Sequence, residues 1–119
     1  MLACMTTVYK VLSSSEWSAA RASGTYGGSA DDQRDGFIHF STAEQLAETL
    51  RKHFAGKREL VLLWVDTEAV DPASAWRWEP SRGGALFPHL YAQLPSSAVQ
   101  RWQPIALAAD GSHQLPVLK

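Results

Sequence analysis

Cysteine is nearly absent. Cys4 is the single one in 119 residues, which excludes a disulfide framework and a thiolate zinc site. Net charge is also lacking: the balance is −1 with a pI near 6.4, so electrostatics give no reason to expect a nucleic acid or an anionic membrane as partner. No run approaches the roughly 18 apolar residues of a membrane span. Met1 to Met5 is too short for a signal-peptide core and carries no basic start, and the expected location is the cytoplasm. No G-x-S-x-G elbow is present, and neither Gly27-Gly28 nor Gly83-Gly84 has Walker or Rossmann spacing.

What remains is a chain of ordinary globular composition, 45% hydrophobic and 19% charged, long enough for one domain over residues 1–119 with a modest core. Thr7 to Leu12 is β-branched and aromatic and predicts a strand. Ser13 and Glu16 have capping-box spacing ahead of a helix over about 14–23 that buries Trp17 and Ala20 and stops at Gly24. Thr25 to Asp35 is polar and glycine-rich and reads as a long loop, a candidate lid or binding loop. A short strand over Gly36 to Phe40 follows. Ser41 and Thr42 both suit an N-cap for a helix over about 43–55 with Leu46, Ala47, Leu50 and Phe54 on one stripe.

Leu60 to Val65 has no polar alternation and predicts a central strand buried on both faces. Trp76 to Glu79 alternates and predicts a half-exposed strand that ends at Pro80. Leu86 to Tyr91 predicts a strand that Pro88 assigns to an edge or a bulge. Val99 to Leu107 is a last strand, and the tail over 108–119 is expected to be loosely held. Strands outnumber helices and both helices come early, which indicates an α+β fold. The basic cluster Arg51, Lys52, His53, Lys57 and Arg58 surrounds a helix end, where it complements the helix dipole.

Two runs carry the chemistry. Gly36-Phe37-Ile38-His39-Phe40-Ser41-Thr42 and Arg82-Gly83-Gly84-Ala85-Leu86-Phe87-Pro88-His89-Leu90-Tyr91 each set one histidine in an apolar stretch beside polar groups. Buried polar groups cost stability unless paired, so two such runs about fifty residues apart indicate a shared site. His39 precedes a helix N-terminus, whose N–H groups favour an anionic or polarised oxygen. It also fits a half-buried histidine bonded to a backbone carbonyl. Glu79, Arg82, Gly83 and Gly84 suit either an anion or sugar site or a salt bridge across a tight turn. His89 and Tyr91 share a strand face. His39, His89 and Glu79 lack the short spacings of a metal set, so no metal is expected.

These runs, together with Val8-Tyr9-Lys10-Val11-Leu12, Glu16-Trp17, Leu60 to Asp66 and Trp78-Glu79, resemble the bacterial domain-of-unknown-function family 952 over about Thr7 to Gln103. That family resembles the ADP-ribosyltransferase fold superfamily. The resemblance implies a split, mostly antiparallel sheet with two early helices and a cleft that holds NAD. Lys10 falls where the superfamily has His or Arg on the first strand, and Gly36 to Thr42 matches the second motif. The third motif lacks its glutamate around Phe87 to Tyr91, for which Glu79 on a neighbouring strand is a candidate substitute. The superfamily's RNA 2′-phosphotransferases rely on Arg and His instead.

The resulting expectation is an NAD or nucleotide cleft that transfers ADP-ribose or, as the second choice, acts on a nucleotide phosphate, with His39, His89 and Glu79 as catalytic candidates. Tyr9, Lys10, Ser41, Thr42, Arg82, Gly83, Phe87 and Tyr91 are the ligand-binding candidates. NAD is a candidate substrate, and no cofactor is assigned. The alternative is a non-catalytic module that keeps the fold and binds a protein or metabolite at its aromatic rim. Buried and mutually facing His39, Arg82 and His89 around a pocket of roughly 300 Å³ or more would favour the small-molecule site, whereas their dispersal, or a pocket filled by Trp76 or Trp78, would favour that module.

Overall fold

The computed structural model describes residues 6–81 and 84–118. Strand β1 (Thr7–Ser13) runs directly into α1 (Ser14–Ser23) through the expected capping box: Ser13 Oγ accepts the Glu16 N–H and Glu16 returns the bond to the Ser13 N–H. Gly24 closes the helix at φ 93°, a left-handed conformation that a Cβ disfavours. Then come β2 (Thr25–Tyr26), α2 (Ala30–Asp35), β3 (Ile38–His39) and α3 (Ala43–His53). Thr42 caps α3, accepting the Gln45 N–H, while Gln45 bonds back to the Thr42 N–H. The second half is strand-rich: β4 (Leu60–Asp66), β5 (Trp76–Ser81), β6 (Ala85–Leu90), β7 (Leu94–Pro95), β8 (Val99–Leu107) and β9 (His113–Gln114).

The strands form antiparallel sheets ordered β1-β4-β8-β9, β2-β7 and β3-β6-β5. Tyr9 and Ser41 exchange both backbone hydrogen bonds at 2.8 and 2.9 Å, and the Phe40 N–H donates to the Pro88 carbonyl. These links join the three-stranded sheet to the edge of β1, so the mostly antiparallel α+β fold curls into a half-barrel. As its unbroken apolar run predicts, β4 is buried on both faces. Leu60, Leu62 and Trp64 pack under α3 with Leu46 and Leu50. Val61, Leu63 and Val65 face the main core with Trp17, Ile38, Phe40 and Leu90. Each such aliphatic side chain contributes roughly 1.5–3 kcal/mol through burial.

Four expectations change. The segment over 25–35 is not a loop: it holds β2 and the helix α2, so the described residues contain three helices rather than two. Ser29 caps α2 in a box whose third position is Asp32. With six residues and a single buried side chain, α2 has no apolar stripe to read. Pro88 is not on an edge, because β6 is the middle strand of its sheet. A strand residue points its N–H and C=O to the same side. The Pro88 carbonyl serves Phe40 just past the end of β3, so its missing N–H costs the ladder nothing on the β5 side. The tail is tied down as well. β9 pairs with β8, His113 Nε2 meets the Lys57 carbonyl, and Leu115 and Leu118 pack beneath α3.

Candidate two-histidine site

Strand alternation builds the site. On the three-stranded sheet Ile38, Phe40, Leu90 and Trp76 turn into the core. The intervening residues Phe37, His39, Phe87, His89, Tyr91 and Glu79 share the opposite face. His39 and His89 are direct cross-strand partners. Their ring centroids lie 5.4 Å apart, edge to face. Phe37 stacks on His89 at 4.1 Å and also touches His39 and Tyr91. This aromatic packing fixes both imidazoles without using their nitrogens.

Each Nδ1 meets a carboxylate. His89 Nδ1 lies 2.7 Å from Glu79 Oε1, which also accepts the Tyr91 hydroxyl at 2.7 Å. These two hydrogen bonds hold the Glu79 carboxyl below its usual range, and the shared bond raises the Tyr91 phenol. Among the described residues nothing bonds His89 Nε2. His39 Nδ1 lies 2.6 Å from Asp32 Oδ1, and its Nε2 lies 3.0 Å from Asp35 Oδ2.

Asp32 is the hub that the sequence reading missed. Only 2% exposed, it accepts from Lys10 Nζ at 2.8 Å, the Ser29 N–H at 2.9 Å, the His39 N–H at 3.1 Å and the His39 ring. Burial by itself would raise its carboxyl. The His39 hydrogen bond and the Lys10 ammonium outweigh that and hold it well below the ordinary range. Burial lowers Lys10, with Asp32 opposing. The signal was present in Ser29-x-x-Asp32, a capping box with Asp in the third position, preceded by a glycine pair. Gly28 sits at φ 105°, and a Cβ there would come 2.7 Å from the Asp32 Cβ. Only glycine lets the backbone pass this close.

A cavity of about 190 Å³ opens beside these groups, lined by Tyr9, Lys10, His39, Ser41, Phe87 and His89 among the candidates, with Asp31, Asp32 and Asp35 on its α2 side. Glu79 and Tyr91 stand behind His89 rather than on the cavity wall. Ser41 is committed twice, by its backbone to Tyr9 and by its hydroxyl to Thr49. Thr42 acts as the cap of α3. Lys10 is 7% exposed and spends its donors on Asp32 and the His39 carbonyl. Arg82 and Gly83 lie outside the described residues. Neither Trp76, which packs on Phe40, nor the exposed Trp78 fills the cavity.

The strand edge adds backbone groups. Because Tyr9 spends its N–H and C=O on Ser41, Val11 two residues on points its own pair to the same edge, where it lines the cavity. The ladder has ended there, and the Ser13 N–H already turns to Glu16.

The order of these elements and motifs is that of a known family. One described as "Protein of unknown function (DUF952)" matches residues 11–102. The chain belongs to the DUF952 family. The X-ray structure of protein CC0527 from Caulobacter crescentus is 50% identical to this DUF952 chain; the match covers 92% of this chain and 94% of that one, with a TM-score of 0.85. The solution NMR structure of CC0527 matches at 51% identity, 92% and 93% coverage and a TM-score of 0.80. No curated protein matches the chain significantly. Among the described residues no helix is long and apolar enough to cross a membrane, and no three His, Cys, Asp or Glu side chains gather as a metal site.

Proposed function

We propose that this chain binds the ribosyl end of NAD or a related nucleotide in the two-histidine cavity and cleaves or transfers at its N-glycosidic bond. The observation that carries the reading is the pair of carboxylate-backed imidazoles, 5.4 Å apart across two strands, in a cavity whose basic side walls are already neutralised. Lys10 is paired with Asp32 and Arg34 with Asp31 and Asp35. Such a wall favours a centre that becomes positive over one that is already a dianion. The ribosyl carbon at a breaking N-glycosidic bond is such a centre. This preference sets glycosidic chemistry ahead of phosphate chemistry at these residues.

In the hydrolytic version a water oxygen bonds to the ribosyl C1′ as the bond from C1′ to the nicotinamide nitrogen breaks. The bonding electrons leave with nicotinamide, which becomes neutral. The proton lost by water passes to His89 Nε2. Glu79 holds the Nδ1–H tautomer that leaves Nε2 free to accept, so it acts as a positioning residue. In the transfer version an acceptor hydroxyl or carboxylate replaces water. The Val11 edge, one donor beside one acceptor, complements a carboxamide, which has the same two groups. At about 190 Å³ the cavity is smaller than the ~300 Å³ lower bound of drug-sized sites, so it accommodates one end of a dinucleotide.

Incubation of the purified chain with NAD should release nicotinamide, and His89→Ala should lower the rate about 10²- to 10⁴-fold without unfolding the protein. Absence of nicotinamide release, together with no binding of NAD, nicotinamide or ADP-ribose, would move the weight to the non-catalytic module.

A further inference from the structure

Beyond the two-histidine cavity, a second and wider recess of about 500 Å³ shares Lys10, Val11, Ser29, Asp31, His53 and Phe54 with it. The far wall of this recess differs in charge from the first. It is formed by the turn between α3 and β4, where Lys57 and Arg58 are both exposed. Glu16 and Asp31 also line it, but Glu16 is committed to capping α1 and Asp31 to Arg34. Lys57 rests over the Phe54 ring at 5.5 Å. Neither Lys57 nor Arg58 has a carboxylate partner among the described residues.

The turn that carries them is held rigidly. The Lys57 N–H donates to the Phe54 carbonyl at 2.9 Å, the Lys57 carbonyl meets His113 Nε2 at 2.9 Å, and the Ser14 N–H donates to the Glu59 carbonyl at 2.8 Å. Glu59 adopts φ 59°, the only positive φ of a non-glycine residue among those described. These three bonds hold the backbone of the turn on either side of Glu59. The helix dipole accounts for basic side chains on α3 itself. Lys57 and Arg58 lie past the end of that helix, on the recess wall.

We infer that Lys57 and Arg58 form an anion subsite that holds the phosphate or pyrophosphate of the nucleotide whose ribosyl end enters the two-histidine cavity. The inference rests on the proposed function for the identity of the ligand, but the subsite makes its own prediction. Two neighbouring cations on one recess wall can hold a phosphate group through charge-assisted hydrogen bonds, and the shared lining residues connect that wall to the two-histidine cavity.

The test is calorimetric titration of the wild-type chain and the double variant Lys57→Gln/Arg58→Gln with nicotinamide riboside, nicotinamide mononucleotide and inorganic pyrophosphate. Wild type should bind the mononucleotide about tenfold tighter than the riboside. That ratio should fall toward one in the double variant, and also in about 0.5 M salt. Pyrophosphate alone should bind wild type and not the variant. A wild-type ratio near one, or a ratio that survives the double substitution, would overturn the subsite. If neither nicotinamide ligand binds wild type while pyrophosphate binds and is lost in the variant, the anion subsite stands and the ribosyl reading falls. No binding of any of the three overturns both.

Discussion

Asp32 and Glu79 each place a carboxylate oxygen on the Nδ1 of a histidine, at 2.6 and 2.7 Å. The burial of the two pairs is reversed. Asp32 is 2% exposed and its partner His39 is 37% exposed; Glu79 is 32% exposed and its partner His89 is 5% exposed. In the first pair the carboxylate is the fixed point. It joins β1, α2 and β3 through Lys10, Ser29 and His39, and the histidine hangs from it toward solvent. In the second pair the imidazole is fixed by Phe37 and the sheet, and the carboxylate reaches it from the outer strand. The same two-residue unit therefore sits differently in the fold: Asp32 holds the wall together, and Glu79 bonds a ring that is already in place.

The contrast is broken most strongly from the buried side. Asp32→Ala leaves the Lys10 ammonium buried without its counter-charge and is expected to cost about 3–5 kcal/mol in chemical denaturation. Gly28→Ala attacks the same hub from the backbone. It asks for a left-handed φ and an impossible approach to Asp32, with an expected loss of about 1–3 kcal/mol and displacement of His39. If Gly28→Ala denatures like wild type, the close approach is not what keeps the hub in place.

Acid separates the two carboxylates further. Asp32 is held below its unfolded value, so the unfolded chain takes up the proton first. The stability Asp32 supplies is complete above its unfolded pKa of about 3.9 and is lost as pH falls below it. Stability measured between about pH 5 and 3 should fall less steeply in Asp32→Asn than in wild type. Glu79 is also lowered, but it is screened by solvent, so Glu79→Gln should leave the acid limb and the denaturation midpoint close to wild type. Its effect belongs to the rate. Losing the oriented Nδ1 bond should lower turnover about ten- to hundredfold and change its pH profile, a readout that a purely structural role would not move.

The sequence disclosed those parts of the fold whose cause is local. β4 is a continuous apolar run, and Ser13-x-x-Glu16 and Thr42-x-x-Gln45 are reciprocal caps, so β1, α1, α3 and β4 were legible. His39 and His89 stood out because a polar ring in an apolar strand needs a reason. Asp32 did not, because in a polar, glycine-rich stretch an aspartate looks solvated, and its burial depends on Lys10, twenty-two residues away. Lys10 looks like a ligand contact in the sequence for the same reason: only the fold shows that its charge is already answered. Pro88 misled because the rule that excludes proline from central strands assumes a ladder bond on the side where its N–H would point, and here β3 has ended.

The most direct test of the two-histidine cleft is a ¹H–¹⁵N correlation spectrum of the imidazole rings during titration with NAD. Two of the chain's four histidines face this cavity as cross-strand partners. The His39 and His89 ring signals should both shift and saturate at one common affinity. Ring signals of His39 and His89 that stay in place while NAD is added would contradict the account.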